Sequence, residues 1–325
     1  MAQGSFIISL DFELHWGVRD VVSLSKTRDQ FLRAREAIPE VLRIFNAHEA
    51  HATWATVGFL FARNKRHLSD HLPGLRPQYK KRRLDPYSFL DEIGEDERSD
   101  PFHYAGSLLR AIAEVHGQEI GSHTFSHYYC LEEGQTERSF EADLRDAAAI
   151  GEPFGNVTEA LVFPRGQHNP AYNSMLGSLG VRAYRIPPGF FPYRARPAGE
   201  ENLSHRGLRL LDSYFPLSGF HGDEPRPDSE GTVPLRAGLF LRPYSPLRRQ
   251  LEPVRVRRIK RAMQDAAHRD CDFHLWWHPH NFGTHTRENL AILREVLGEY
   301  CVLRERYGWP SRNMSEASRA AKEQA

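Results

Sequence analysis

Residues 6–13 read FIISLDFE. The run from Phe6 to Leu10 has the length and apolar density of a strand buried on both faces, and two carboxylates, Asp11 and Glu13, follow at once. The same arrangement recurs along the chain. Strand-like stretches are expected at 52–57, 119–122, 159–163, 181–186, 208–214, 238–244 and 272–277. Helical periodicity intervenes at 28–48, 104–116, 136–150, 170–179, 252–269 and 286–300, with Pro39 expected to kink the first helix. Alternating strands and helices imply a parallel sheet. Polar residues cluster where the strands end: Asp11 and Glu13, then Thr56, then His123 and His127, then Arg165, then His278 and His280. In parallel α/β barrels those ends form one functional face, so the chain is read as an α/β protein built on a closed (β/α) barrel.

The 325 residues are balanced in charge, with 43 Lys and Arg against 42 Asp and Glu, so no global field favours nucleic acid or an anionic membrane. Hydrophobic residues at 40% and a mean hydropathy of −0.57 mark a globular composition. Three widely spaced cysteines, Cys130, Cys271 and Cys301, form neither a disulfide framework nor a CxxC site. The opening MAQGSFIISLDFE lacks a signal-peptide pattern, and no apolar run is long enough to span a bilayer, so a cytoplasmic location is expected. The organisation expected is a single domain over residues 1–312 with a charged, Pro-punctuated insertion at about 65–101, then a helix or tail at 313–325. Residues 187–206 and 216–236 read as long loops, either binding loops or surface decoration.

Seventeen histidines make three i, i+4 pairs, and context separates them. Pair 67/71 lies in the charged insertion and reads as a solvated face. Pair 274/278 lies on a strand, where positions four apart stand about 13 Å apart. Pair 123/127 follows a strand and a Gly-Ser turn, and on a helix both imidazoles would share one face. With a carboxylate from the first strand they would make a two-His, one-carboxylate set that leaves a metal position open to water. Spacing and placement alone leave the metal reading open.

The stretches SLDFELHWG, ATWATVGFL, EIGSHTFSH, FPRGQ and LWWHPH resemble, in order and spacing, the motifs of the polysaccharide deacetylase family, the NodB-homology group also called carbohydrate esterase family 4. The resemblance runs over roughly residues 5–280, and EIGSHTFSH carries most of its specificity. It implies a distorted (β/α) barrel of about seven parallel strands and a metal-dependent N-deacetylase. Asp11 becomes the catalytic base, His123 and His127 metal ligands, Arg165 the residue that orients Asp11, and His278 the catalytic acid. The usual adjacent Asp pair is replaced by Asp11-Phe12-Glu13. Because side chains alternate on a strand, Glu13 can supply the third ligand. FPRGQ departs from the family pattern after Arg165, and Pro279 follows His278, with His280 an alternative acid. Zn2+ is the expected metal; Co2+, Ni2+ or Mn2+ would also suit the donor set.

The substrate implied is an acetamido sugar, in a surface polysaccharide or its precursor. A deformylase or cyclic-amide hydrolase using the same site, and a non-catalytic glycan-binding relative, are the competing readings. Trp16, Trp54, Trp276 and Trp277 flank the motif residues and could stack a sugar ring or belong to the core, with Trp54 and Trp277 the substrate candidates. Residues 242–261 carry eight basic residues and one acid; Arg257 and Arg258 could contact an anionic, pyrophosphate-linked substrate, or the run could be a solvated helix face. No recognition motif for nucleic acid accompanies it. Oligomeric state is open.

Overall fold

The computed structural model describes residues 4–197 and 199–325. Strands β1 (Phe6–Phe12), β2 (Ala52–Thr56), β3 (Gln118–Ser122), β4 (Ala160–Val162), β5 (Ala183–Ile186), β6 (Val233–Arg236) and β7 (Phe273–Trp277) alternate with helices. The helices are α1 (Leu24–His48), α2 (Lys65–Asp70), α3 (Gly106–Ala113), α4 (Glu137–Gly151), α5 (Asn173–Leu176), α6 (Leu203–Asp212), α7 (Glu252–His268), α8 (Thr286–Tyr307) and α9 (Met314–Glu323). All seven strands are parallel, in the order β6-β5-β4-β3-β2-β1-β7, and a two-residue strand, β8 (Ser311–Arg312), also pairs with β1. After β6 the chain crosses between the sheet's two edges. Ala237 N–H donates to Ile186 on β5, while Gly238 and Leu241 N–H donate to His274 and Trp276 on β7. The curled sheet with helices around it is the distorted (β/α) barrel that the motif resemblance implied; the sheet path itself is open, running from β6 to β7.

Two predicted elements differ. Residues 208–214, read as a strand, form the end of α6 and the turn after it; the helix starts at an Asn202 cap whose side chain accepts from His205 N–H. The 238–244 stretch is reduced to a single bridge between Phe240 and Trp276, following β6 at 233–236. The first helix extends to 24–48 and runs through Pro39.

Strand parity sorts the core. Even-numbered β1 residues Phe6, Ile8, Leu10 and Phe12 face the helices, together with Trp54 of β2 and Leu275 and Trp277 flanking Trp276 on β7. Odd-numbered Ile7 joins Ala55, Ala160, Val162, Ala183, Val233 and Leu235 in a separate, inner cluster. Small side chains dominate it, so the interior is narrow. The inner cluster also contains Met314, Ala317 and Ala321 of α9. That helix starts with an Asn313–Glu316 capping box, its Met314 N–H donates to Thr53 Oγ1, and Ser318 Oγ donates to the Arg182 carbonyl. The C-terminal segment is therefore a helix packed against the barrel's inner apolar layer. Further up the same interior come Ser9, His274 and Arg185, and then Asp11.

The 65–101 insertion is not loose decoration. It buries Leu68, Leu84 and Ile93, and its Gln78 and Lys80 N–H groups donate to the Gly134 and Glu133 carbonyls of the loop after β3. A Cβ at Gly134 would lie 1.8 Å from the Gln78 carbonyl oxygen, so the two segments meet only because residue 134 has no side chain.

Candidate active site

β1 delivers two carboxylates to the C-terminal end of the barrel. Asp11 is its last inward residue, and Glu13 leads the chain into a single 3-10 turn, Leu14–Gly17. Both are almost fully buried. The Glu13 carboxylate occupies a notch over Gly17, where a Cβ would fall 1.9 Å from Glu13 Cδ. Gly17→Ala must therefore push the carboxylate away. Bound metal per chain is expected to drop at least as far in Gly17→Ala as in a Glu13→Gln control, while the unfolding midpoint of the metal-free protein changes little. Retention of full metal content in Gly17→Ala would show that the notch is not needed.

The HTFSH segment does not form the helix that the i, i+4 spacing suggested. It is an irregular loop in which Thr124 and His127 both adopt left-handed backbone, φ 64° and 59°. Its amides are satisfied from outside the loop. Phe125 N–H donates to Asp143 Oδ1 at 2.7 Å, Ser126 N–H donates to Asp143 Oδ2 at 3.2 Å, and Ser126 Oγ bonds the same carboxylate. His123 N–H donates to the Thr56 carbonyl, and Gly58 N–H to that of Thr124. Asp143, on α4, is fully buried, and burial pushes its carboxyl up to about 7 against the three hydrogen-bond donors. The anchoring turns both imidazoles onto Glu13: His127 Nε2 lies 3.0 Å and His123 Nε2 3.4 Å from Glu13 Oε2.

One ligand atom from each of Glu13, His123 and His127 falls within a 4.8 Å cluster. His123 Nδ1 donates to the Val162 carbonyl at 2.8 Å, which leaves Nε2 as the lone-pair nitrogen; that buried atom has no hydrogen-bond partner. His127 Nδ1 meets the Tyr129 hydroxyl at 3.1 Å, and burial holds its imidazole neutral, with a value lowered to about 4. Burial alone would raise Glu13, but the neighbouring His278, His123 and His127 imidazoles outweigh it and hold the carboxyl well below its ordinary range. Two imidazoles and a carboxylate, with one buried ring nitrogen unpartnered, fit a divalent cation.

Asp11 is held by Arg185 of β5, not by Arg165. The guanidinium donates to Asp11 Oδ2 at 2.8 Å, approaches Oδ1 at 2.7 Å, and donates to Ser9 Oγ at 2.9 Å. Burial raises the Asp11 carboxyl, but Arg185, His123 and His278 together bring it below its ordinary value. Behind this pair, His274 Nε2 bonds Ser9 Oγ at 2.8 Å and is fully buried. Arg165 lies elsewhere, with φ 55° in the turn after β4. It pairs with Asp20 at 2.6 Å and covers the Tyr129 ring at 4.6 Å. Through Tyr129 it braces His127 instead of Asp11.

His278 lies beside both carboxylates, its Nε2 3.7 Å from Asp11 Oδ2 and 3.6 Å from Glu13 Oε1. It is partly exposed, whereas His280 is buried behind it against Phe31 and is pushed down to about 4 by burial. Trp54 and Trp277 are fully buried, because strand parity points both outward into the helix layer, and they reach no ligand. The aromatic residue that does face the site is Trp276, stacked under the Arg185 guanidinium at 4.4 Å and 5.8 Å from the His278 ring. Arg258 is buried on α7, donating to the Gly219 carbonyl near Asp212, while Arg257 projects to solvent from the same helix. The basic run is thus divided among partners: Arg255 pairs with Glu252 and Lys260 with Glu295 and Glu299.

The buried histidines have a consequence for acid stability. His274 and His280 are lowered from 6.5 to about 3 and about 4 by burial, so below pH 6.5 the unfolded chain takes up protons that the fold refuses. Stability present above pH 6.5 is lost as pH falls towards 4. Asp143 and Asp272, both raised to about 7 by burial, act in the opposite sense over pH 7 to 3.8 and offset part of the loss. The urea midpoint is expected to fall between pH 6.5 and 4, and to fall less in His274→Gln, which cannot titrate.

Comparison with known proteins follows from this geometry. Residues 23–184 match the family model described as polysaccharide deacetylase, a span that contains His123 and His127 but not Asp11, Glu13 or His278. A Mycobacterium smegmatis protein assigned to the polysaccharide deacetylases superposes with a TM-score of 0.62 at 14% identity, over 99% of this chain and 91% of that one. A GH57-type branching enzyme from Pyrococcus horikoshii gives 0.54 at 12% identity, over 96% and 70%. The allantoinase PuuE gives 0.51 at 11% identity, over 98% and 90%. At such identities the likeness is one of fold. No curated protein sequence matches the chain significantly.

Proposed function

This chain belongs to the polysaccharide deacetylase family, and from that premise we propose that it is a metal-dependent hydrolase that removes the N-acetyl group of an acetamido sugar. The observation that carries the reading is the convergence of Glu13, His123 and His127 on one point, with His123 Nε2 unpartnered, beside an Asp11 carboxylate clamped by Arg185. Glu13, His123 and His127 would hold the cation. When bound, a divalent ion supplies Lewis-acid polarisation of the acyl oxygen and makes water a better nucleophile near neutral pH.

The protein's own groups do the proton work. Asp11, kept ionised by Arg185, accepts a proton from the attacking water as the C–O bond forms. His278, the partly exposed imidazole beside both carboxylates, delivers a proton to the sugar nitrogen as the C–N bond breaks, so acetate and a free amine leave. An amine anion is a poor leaving group, which makes the acid indispensable for an amide. Trp276 supplies an apolar wall beside His278. The placement of Arg258 in the interior removes the support it lent to a pyrophosphate-linked substrate, so the sugar's attachment is left to assay.

Metal content by elemental analysis, wild type beside His127→Ala, tests the reading together with acetate release from acetamido sugars. About one ion per wild-type chain, lost in the variant, with acetate released, is the expected result. No metal after incubation with zinc would overturn it in favour of a binding protein. Bound metal with hydrolysis of cyclic amides alone would move the substrate and keep the site.

A further inference from the structure

Helix α6 is packed the wrong way out for a globular helix. Its one buried residue is Asp212, while Leu203 is 83% and Leu211 50% exposed. The inward side is polar. Asp212 accepts from the Tyr193 hydroxyl at 2.9 Å and from Ser218 N–H and Oγ at 2.8 and 2.6 Å, and Arg209 donates to the Pro192 carbonyl and pairs with Glu201. These bonds fix the orientation, so the apolar face is held outward. The turn after the helix continues the surface with Phe215 and Leu217, both at least half exposed. Among the described residues, eight of the eleven large apolar side chains that are exposed fall between positions 191 and 251, so this face is unlike the rest of the molecule.

Arginines border it, alongside the exposed Glu200 and the Arg209-paired Glu201. Arg206 and Arg194 are exposed in the same excursion. The 246–251 turn adds Leu247, 94% exposed, and Arg249, and no acid occurs from 242 to 251. Arg242 joins the two segments, lying within electrostatic reach of Tyr193, Arg209, Tyr214 and Arg248. A second copy meeting this face across a two-fold axis would bring the same arginines together. An apolar face rimmed by arginines matches a layer with hydrocarbon below and negative charge above.

We propose that α6 and the adjoining 215–217 and 246–251 turns form a docking surface for an anionic lipid bilayer, on which the protein lies peripherally. No helix among the described residues is long and apolar enough to cross a membrane. The excursion leaves the barrel at the C-terminal end of β5, the end that carries Asp11. The proposal does not depend on the deacetylase reading.

Sedimentation of the full chain with phosphatidylcholine vesicles, with and without phosphatidylglycerol, is the test. Wild type is expected to pellet only with the phosphatidylglycerol vesicles and to be released by salt. Leu203→Ser/Leu211→Ser/Phe215→Ser, and separately Arg206→Glu/Arg249→Glu, should each weaken binding by on the order of tenfold or more, with unchanged circular dichroism and unfolding midpoint. Wild type left in solution with both vesicle types would overturn the proposal, as would equal binding to both. A dimer in sedimentation velocity that the triple serine variant dissolves, without vesicle binding, would give the face to a second copy and also overturn it.

Discussion

Asp11→Asn is expected to keep metal at the wild-type level and to lose turnover by about a hundred- to ten-thousandfold, the usual contribution of a positioned base. The two effects separate because Asp11 lies outside the cluster formed by Glu13, His123 and His127, yet within reach of the same space. Asparagine is nearly isosteric and can still meet one guanidinium nitrogen, so the barrel should hold. His123→Ala is the matched control: it removes the imidazole with the unpartnered nitrogen, and metal and turnover should vanish together. Elemental analysis beside acetate release reads both. Wild-type turnover in Asp11→Asn would remove the base; metal lost with it would make Asp11 a ligand.

Arg185→Met carries the second large effect, this time on stability and pH dependence together. Breaking a buried pair by removing one partner leaves an uncompensated charge and typically costs about 3–5 kcal/mol. Here both partners are almost fully buried, and Ser9 and Trp276 lose their contact with the guanidinium as well. In the wild type the depressed Asp11 value contributes stability that is present above pH 3.8 and lost as pH falls through the folded value. Without Arg185 the burial that raises Asp11 is far less opposed, so the carboxyl takes its proton at a higher pH. The acid limb of the activity profile should move upward. Arg165→Met should leave that limb unmoved, since its partner is Asp20. An equal shift in both variants would restore Arg165 as the partner of Asp11.

What could be read from residue order was the periodicity and the ends of strands. Buried parallel strands are continuous apolar runs, so β1, β2 and β7 stand out; Asp11 and Glu13, His123 and His127, and His278 stand out as polar residues following β1, β3 and β7. Contacts between distant segments were harder. Arg165 lies in a family-like motif, yet its left-handed turn aims it at Asp20 and Tyr129; the partner of Asp11 comes from a different strand. A signal did exist: Ala183-Tyr184-Arg185-Ile186 places a charge on the inward parity of a short buried strand, which demands a buried partner. Parity also decides the tryptophans, sending Trp276 inwards and Trp54 and Trp277 outwards, once the register of each strand is known. The HTFSH loop could not be told from a helix by spacing, because its shape depends on Asp143, sixteen residues beyond His127 and on another element.

The seating of α9 on the inner layer sets an order of events during biogenesis. Its Met314, Ala317 and Ala321 meet residues as early as Ile7, and Phe6 N–H donates to the Pro310 carbonyl. β1 is flanked by β2 and by β7, and β8 joins it only after about three hundred residues have been made. Contacts of such sequence separation form slowly. A nascent chain emerging from the ribosome therefore exposes one open edge of β1 and an unsealed apolar interior until residues beyond 314 are free. The protein should depend on chaperone protection during translation, and a nonsense mutation that removes only α9 should yield aggregate instead of a slightly shortened enzyme.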